Sequence, residues 1–254
     1  MSLRIAIPAR FASTRLPGKP LRLIAGKALI VHSTERALAC GADEVVVATD
    51  HEGIAEAVSA LPVRVCMTPA DLATGSDRLA WCAREFGWAE EDLVINLQGD
   101  EPLVPVAAVQ RVVETLRRSA APVATLATPI HEAAEVFDPN AVKVVCDSAG
   151  HALYFSRAPI PWQRDAFARD RERLPDGAGF LRHLGLYGYR AGFLRGFPAL
   201  PASALETAES LEQLRILAAG FRIAVAVVAE RLPPGVDSEA DIAAVEAALA
   251  GQAV

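Results

Sequence analysis

The segment PARFASTRLPGKPL, residues 8–21, places Arg10, Arg15 and Lys19 close together. A polyphosphate is held by converging cations and free backbone N–H groups, and this segment offers both. Ser13 and Thr14 add hydroxyl donors, and Gly18 lets a backbone come close to a ligand. A solvated basic loop has the same composition. Position favours phosphate chemistry, because the segment follows an apolar run at residues 3–8. Neither a Walker loop nor a G-x-G-x-x-G fingerprint is present there, which disfavours the ordinary P-loop and dinucleotide-binding classes.

A second chemical feature is NLQGDEP, residues 96–102. Asp100 follows a buried run, with Gly before it and Pro two residues later. Mg²⁺ takes one or two carboxylates and completes its shell with water and phosphate oxygens, so Asp100 suits a metal–triphosphate complex. It equally suits a turn-capping aspartate. A partner carboxylate is available in Asp237 of PPGVDSEAD, residues 233–241, which also reads as a helix-start aspartate beside Ser238. In TPADLATGSDR, residues 68–78, Thr74, Gly75, Ser76 and Arg78 sit at a strand-to-helix junction. Backbone groups there could read a base edge, and the helix start favours anions; ordinary capping by Ser76 accounts for the same residues. Arg157, His183 and Tyr187 lie in YFSRAPIPW, residues 154–162, and LRHLGLYGYR, residues 181–190. Arg157 could hold a carboxylate bidentately, and the other two could bind hydroxyls. His183 also fits a hydrogen-bonded structural histidine.

These segments need a frame. Short apolar runs without polar alternation occur at 3–8, 44–48, 63–67 and 93–97, as expected of strands buried on both faces. Helical patterns over 30–40, 51–60 and 76–86 separate them, with Gly41 ending the first. This alternation predicts an α/β fold, a mostly parallel sheet with helices on both faces. Ligands in such sheets gather at the carboxyl ends of the strands, where the loops at 9–20, 49–52, 68–78 and 98–102 fall. The second half predicts strands at 123–130, 142–146, 152–156, 185–191 and 223–228, with a hairpin turn at 147–150. It also predicts a helix over 208–219 and a closing helix over 237–250 capped by Ser238. Residues 163–179 are charged and poorly patterned, as in a mobile loop. A single domain over 1–254, with an antiparallel excursion within about 123–200, fits this pattern best.

The chain has 254 residues, 52% of them hydrophobic, enough for a sizeable core. A net charge of −6 with no basic run disfavours nucleic-acid binding, as does the lack of aromatic and basic residues interleaved. Cys40, Cys66, Cys82 and Cys146 lack metal-site spacing and read as buried thiols of a reducing cytosol. No run approaches the roughly 18 apolar residues of a spanning helix. The expectation is a soluble, cytoplasmic protein without membrane insertion, a Mg²⁺-dependent enzyme of nucleoside triphosphate chemistry.

Set side by side, the segments IPARFASTRLPGKPL, VATDHEGIAEAV, NLQGDEP, DPNAVKVV, YFSRAPIPW, FLRHLGLYGYR and LEQLRIL resemble the 3-deoxy-manno-octulosonate cytidylyltransferases, the CMP-KDO synthetases of lipopolysaccharide assembly. The resemblance runs in order from Ile7 to Leu217. It implies a nucleotide-diphospho-sugar transferase fold with a smaller antiparallel lobe that forms a homodimer interface. It further implies that Arg10, Ser13 and Lys19 hold CTP phosphates with Arg15 nearby, and that Ala73, Thr74, Gly75, Ser76 and Arg78 frame cytosine and ribose. Asp100 and Asp237 would carry Mg²⁺; Gln98, Arg157, His183, Tyr187, Glu212 and Gln213 would bind the octulosonate. The catalytic set would be Arg10, Lys19, Asp100 and Asp237. Two departures stand out. Pro233-Pro234-Gly235-Val236-Asp237 replaces the usual Gly-Thr-Gly-Val-Asp, keeping Gly235 and Asp237, and residues 163–179 match poorly. Alternatives are an acylneuraminate or 8-amino-octulosonate cytidylyltransferase and a catalytically silent nucleotide-binding protein on the same fold.

Overall fold

A computed structural model of the chain describes residues 1–12 and 16–251. The chain forms two compact units. The first comprises Met1–Val113, Gly188–Pro198 and the residues from Leu232 onward; the second comprises Glu114–Tyr187 and Ala199–Arg231.

In the first unit, β1 (Leu3–Ala9) leads to a small antiparallel pair, β2 (Leu23–Ile24) and β3 (Lys27–Ala28), and then to helix α1 (Leu29–Leu38). Next come β4 (Glu44–Thr49), α2 (Glu52–Ala57), β5 (Arg64–Met67), α3 (Gly75–Glu85) and β6 (Leu93–Asn96). β1 pairs in parallel with β4 on one side and β6 on the other, and β5 joins β4 in parallel. Ile5, Ala6 and Ile7 have no exposed surface, as their unbroken apolar run requires. The strands' carboxyl ends therefore carry the loops in which chemistry was expected.

Helix α4 (Val106–Arg118) lies across the unit boundary in sequence. It was absent from the sequence reading, although Val109, Val112, Val113 and Leu116 repeat at helical spacing and are all buried. The second unit continues with β7 (Val123–Pro129), α5 (Ala133–Phe137), β8 (Lys143–Cys146), β9 (Ala152–Ser156), α6 (Arg164–Phe167) and β10 (Leu181–Arg190). After α7 (Ala191–Gly196) in the first unit, α8 (Ala204–Glu209), α9 (Gln213–Ala218) and β11 (Ile223–Val227) complete the second. Helix α10 (Glu239–Gly251) belongs to the first. β11 pairs with β7 in parallel, while β8 pairs with β9 and β10 in antiparallel fashion. The mostly parallel α/β expectation and its antiparallel portion both hold.

Three local expectations change. β10 starts at Leu181, not 185, because Leu181 and Arg182 pair with Val144 and Lys143 of β8. The helix expected over 208–219 is two helices, broken where Ser210 adopts left-handed backbone with φ 51°. Residues 163–179 are tied down: α6 ends in Phe167, which is buried with Phe180, Ile130 and Val136, and Leu174 packs on the same cluster. Two large apolar residues, Phe167 and Leu174, seven positions apart in a charged stretch are a weak sequence signal.

Across the α8–α9 break, Glu206 accepts two hydrogen bonds from Arg215, at 2.8 and 2.6 Å. The Arg215 bonds outweigh burial and hold the Glu206 carboxyl below its usual 4.5. A depressed carboxylate contributes stability above its unfolded value and loses it as pH falls through the lower folded value. Glu206→Gln should therefore lower stability by about 1 kcal/mol at neutral pH, allowing for solvent screening. Thermal melts of the two proteins should converge in acid well below pH 4.5.

Candidate active site

At the carboxyl ends of β1 and β6, one cavity of about 650 Å³ is lined entirely by first-unit residues. Arg10 and Lys19 come from the first loop; Ala73, Thr74, Gly75 and Arg78 from the start of α3; Gln98 and Asp100 from the loop after β6; and Asp237 from the approach to α10. Nine of the positions singled out in sequence thus share one wall. Ser76 lies behind it, buried in the first turn of α3. Ser13 and Arg15 fall outside the described residues.

Close backbone approach builds this junction. A Cβ at Gly99 would stand 3.1 Å from the Pro8 carbonyl oxygen, a tight contact, so glycine lets the NLQGDEP loop lie against the end of β1 without displacement. A Cβ at Gly235 would stand 3.2 Å from the Asp100 carbonyl oxygen. Val236 N–H donates to that oxygen at 2.8 Å, which sets Asp237 beside Asp100. Behind it, Val236, Ile242 and Val245 pack with Leu16, Ile24 and Leu29, so the docking of α10 fixes the second carboxylate. Ser238 caps α10 as expected: its Oγ accepts from Asp241 N–H, and its own N–H donates to Asp241. The α3 start differs from expectation, since Thr74 caps the helix in a reciprocal box with Asp77.

Lys19 Nζ donates to Asp100 at 2.5 Å and to Asp237 at 3.0 Å. Burial by itself would favour the neutral amine, but the two carboxylates outweigh it and raise the Lys19 value above 10.5. The ammonium shows that the two carboxylates can share one cation. Two carboxylate donors opening on a cavity suit Mg²⁺, which fills its remaining positions with water or phosphate oxygens. Among the described residues, no group of three or more acidic, His or Cys side chains is placed to hold a metal; Mg²⁺ does not require one. Glu101, which the sequence reading passed over, also lines the cavity. Burial and the nearby Asp100 charge push its carboxyl up to about 8 against the pull of Lys19, which favours the protonated acid. Arg10 makes no ion pair among the described residues and is exposed at the rim.

Arg78 is only 2% exposed, and its guanidinium is engaged by protein. It donates to Thr68 Oγ1, to Asp50 at 2.6 Å and to the Pro69 carbonyl at 3.3 Å. Asp50 in turn accepts the Phe11 N–H at 3.1 Å, while the Phe11 ring stacks on His51 with centroids 4.0 Å apart. Arg78 therefore contributes to the wall by anchoring the first loop through Asp50, a long-range tie with no local sequence signature. Removing one member of a buried ion pair leaves the other uncompensated. Asp50→Ala should destabilise the protein by about 3 kcal/mol, read from the urea midpoint at unchanged slope.

The second unit collects Arg157, His183, Tyr187, Glu212 and Gln213. Lys143, fully buried, donates to the carbonyls of Asp138 at 2.8 Å and Arg157 at 2.6 Å. Arg157 N–H donates to the Glu209 carboxylate at 2.9 Å, and its Nε donates to the Glu209 carbonyl at 2.7 Å. Nη1 donates to the Pro139 carbonyl at 2.9 Å. With Nε taken, the side-on fork to a ligand carboxylate is closed; Nη1 already has the Pro139 acceptor, and Nη2 has no hydrogen-bond acceptor among the described residues. His183 and Tyr187 lie with ring centroids 5.3 Å apart. Burial pushes the His183 imidazole down to about 3, so it is neutral. Glu212 is the residue that precedes α9, and the buried Gln213 Nε2 lacks a hydrogen-bond partner among the described residues. A buried amide without a partner is costly in isolation and is satisfied by a polar ligand.

The model of the family described as cytidylyltransferase matches residues 5–223. A 3-deoxy-manno-octulosonate cytidylyltransferase of Xanthomonas campestris pv. campestris (strain 8004) is 56% identical over 97% of this chain and 99% of its own. One of Stenotrophomonas maltophilia (strain R551-3) is 54% identical over 98% of this chain and 97% of its own. A solved CMP:2-keto-3-deoxy-manno-octonic acid synthetase, complexed with CTP, superposes with a TM-score of 0.88 at 43% identity, covering 99% of this chain and all of its own. The chain belongs to the cytidylyltransferase family.

Proposed function

We propose that this chain transfers the CMP part of CTP to 3-deoxy-manno-octulosonate (KDO), forming CMP-KDO and pyrophosphate. One observation carries the reading: a cationic loop and two carboxylates brought together by Lys19 in a cavity walled by the start of α3. The relatives named for this activity, similar over nearly the whole chain, support the choice of nucleotide and acceptor.

In this reaction the anomeric hydroxyl oxygen of the octulosonate attacks the α-phosphorus in line. A carbon–oxygen–phosphorus link forms, the bond from the α-phosphorus to the bridging oxygen breaks, pyrophosphate leaves, and the hydroxyl proton passes to solvent. No protein nucleophile is needed; positioning and charge neutralisation do the catalysis. Arg10 and Lys19 neutralise the triphosphate and the departing pyrophosphate. The first turn of α3, capped by Thr74, directs N–H groups at the nucleotide. Asp100 and Asp237 would hold Mg²⁺, which when bound supplies a Lewis acid for the phosphate oxygens. Arg157 would meet the sugar-acid carboxylate through Nη2, with His183, Tyr187, Glu212 and Gln213 available to hydroxyls.

A cytoplasmic location and a homodimer belong to the same proposal. Four free cysteines suit a reducing compartment. No described helix is long and apolar enough to cross a membrane. The chemistry is tested by ³¹P NMR of protein, Mg²⁺, CTP and octulosonate. The expected spectrum shows a new CMP ester resonance growing in step with pyrophosphate. Appearance of CDP and inorganic phosphate would instead assign a hydrolase and end the transfer reading.

A further inference from the structure

Thr125 of β7 is fully buried, and its hydroxyl has three polar neighbours. The Leu184 carbonyl oxygen lies at 3.0 Å, the Leu186 carbonyl oxygen at 2.9 Å and His183 Nε2 at 3.1 Å. A hydroxyl has one hydrogen to give and lone pairs with which to accept. The carbonyl oxygens can only accept, so the Thr125 hydrogen is directed to them. A bare Nε2 would then set its lone pair against a lone pair of the hydroxyl oxygen. A hydrogen on Nε2 turns the same contact into a bond donated to the hydroxyl oxygen, while the hydroxyl hydrogen serves the carbonyl side.

The ring is neutral, since burial holds its titration far below physiological pH. It therefore carries one hydrogen, and with that hydrogen on Nε2 the other nitrogen is a bare acceptor. Nδ1 has no hydrogen-bond partner among the described residues. The orientation is fixed on several sides. Phe155 meets the ring edge-on at 4.9 Å between centroids, Tyr187 lies at 5.3 Å, and the His183 N–H donates to the Val142 carbonyl at 2.8 Å.

We infer that Thr125 is a positioning residue that holds His183 as its Nε2-protonated tautomer, so that Nδ1 accepts a hydrogen bond from a hydroxyl of the sugar-acid substrate. The second half of this inference rests on the proposed sugar-acid function. The hydrogen on Nε2 follows from the Thr125 contacts, and the bare Nδ1 from the neutrality of the buried ring.

The test uses the full-length protein labelled with ¹⁵N at its histidine rings, with His183→Asn identifying the His183 signals among the five histidines. Long-range ¹H–¹⁵N correlation should show Nε2 protonated and Nδ1 bare in the wild type. Thr125→Val, nearly equal in shape, should shift this tautomer balance and raise KM for octulosonate about tenfold, the worth of one buried hydrogen bond, while KM for CTP stays unchanged. Thr125→Ser should restore both readouts. A wild-type ring protonated at Nδ1 overturns the inference even if CMP transfer is intact. The expected tautomer together with an unchanged octulosonate KM in Thr125→Val overturns the assignment of Nδ1 to the substrate. Wild-type protein with the expected tautomer but no transfer to octulosonate overturns the proposed function and leaves the Thr125–His183 pairing in place.

Discussion

Lys19→Met is expected to lower kcat/KM for CTP by about 10³-fold, roughly 4 kcal/mol of transition-state stabilisation. Two losses combine in this value. The ammonium no longer meets the charge that develops as pyrophosphate departs. In addition, Asp100 and Asp237, which now share Lys19 at 2.5 and 3.0 Å, are left as neighbouring carboxylates without their counter-charge. An arriving triphosphate then meets net negative charge in place of near balance, so KM for CTP should rise while kcat falls. Folding should survive, because the turn carrying Lys19 is held by backbone bonds from Lys19 N–H to Leu16 O, Leu21 N–H to Gly18 O and Arg22 N–H to Lys19 O. Steady-state kinetics with circular dichroism separate the effects. A folded Lys19→Met protein with wild-type kcat/KM would remove this residue from the phosphate site.

Asp237→Asn and Asp100→Asn should each reduce kcat by about 10³-fold, in the range seen when one preorganised electrostatic group is lost. The mechanism differs from that of Lys19. Either change leaves Lys19 paired with the remaining carboxylate, so the cavity stays close to neutral and CTP binding is largely kept. What is lost is a charged oxygen ligand, so half-maximal activation should require more Mg²⁺. The loop geometry should persist: the Val236 N–H bond goes to the main-chain oxygen of Asp100, not to its side chain. Turnover measured against Mg²⁺ concentration, beside calorimetric CTP binding, is the appropriate pair of experiments. An unshifted Mg²⁺ curve and unchanged kcat for Asp237→Asn would exclude it as a metal ligand.

Sequence reading reached those residues whose chemistry is announced locally. The unbroken apolar runs of β1, β4 and β6 mark strands buried on both faces, and so mark the loops after them as functional. Arg10, Lys19 and Asp100 were legible for that reason. The meeting of Asp100 with Asp237 was not, since it depends on one backbone bond between distant loops and on Ile242 and Val245 docking against Ile24 and Leu29. Arg78 was legible only in part. Its place at a helix start put it with Ala73–Ser76 in the frame of a nucleotide, and it does line the cavity, but the tertiary pairing of its guanidinium with Asp50 and Thr68 could not be read locally. In the second unit, Arg182 and His183 interrupt the apolar pattern and hid the first residues of β10, which form a strand because β8 supplies a pairing edge. The break at Ser210 was hidden too. The residues on both sides are good helix formers, and the left-handed turn is held by the Glu206–Arg215 pairing across it.

The most direct test of CMP transfer to octulosonate is pyrophosphate release by purified protein with Mg²⁺ and CTP. Octulosonate would be compared with 8-amino-octulosonate and N-acetylneuraminate, and CTP with ATP and UTP. The account predicts release that depends on CTP and is fastest with octulosonate by a wide margin in kcat/KM. Faster release with either other sugar acid would contradict the acceptor assignment, and no release from folded protein with any pair would contradict the account as a whole.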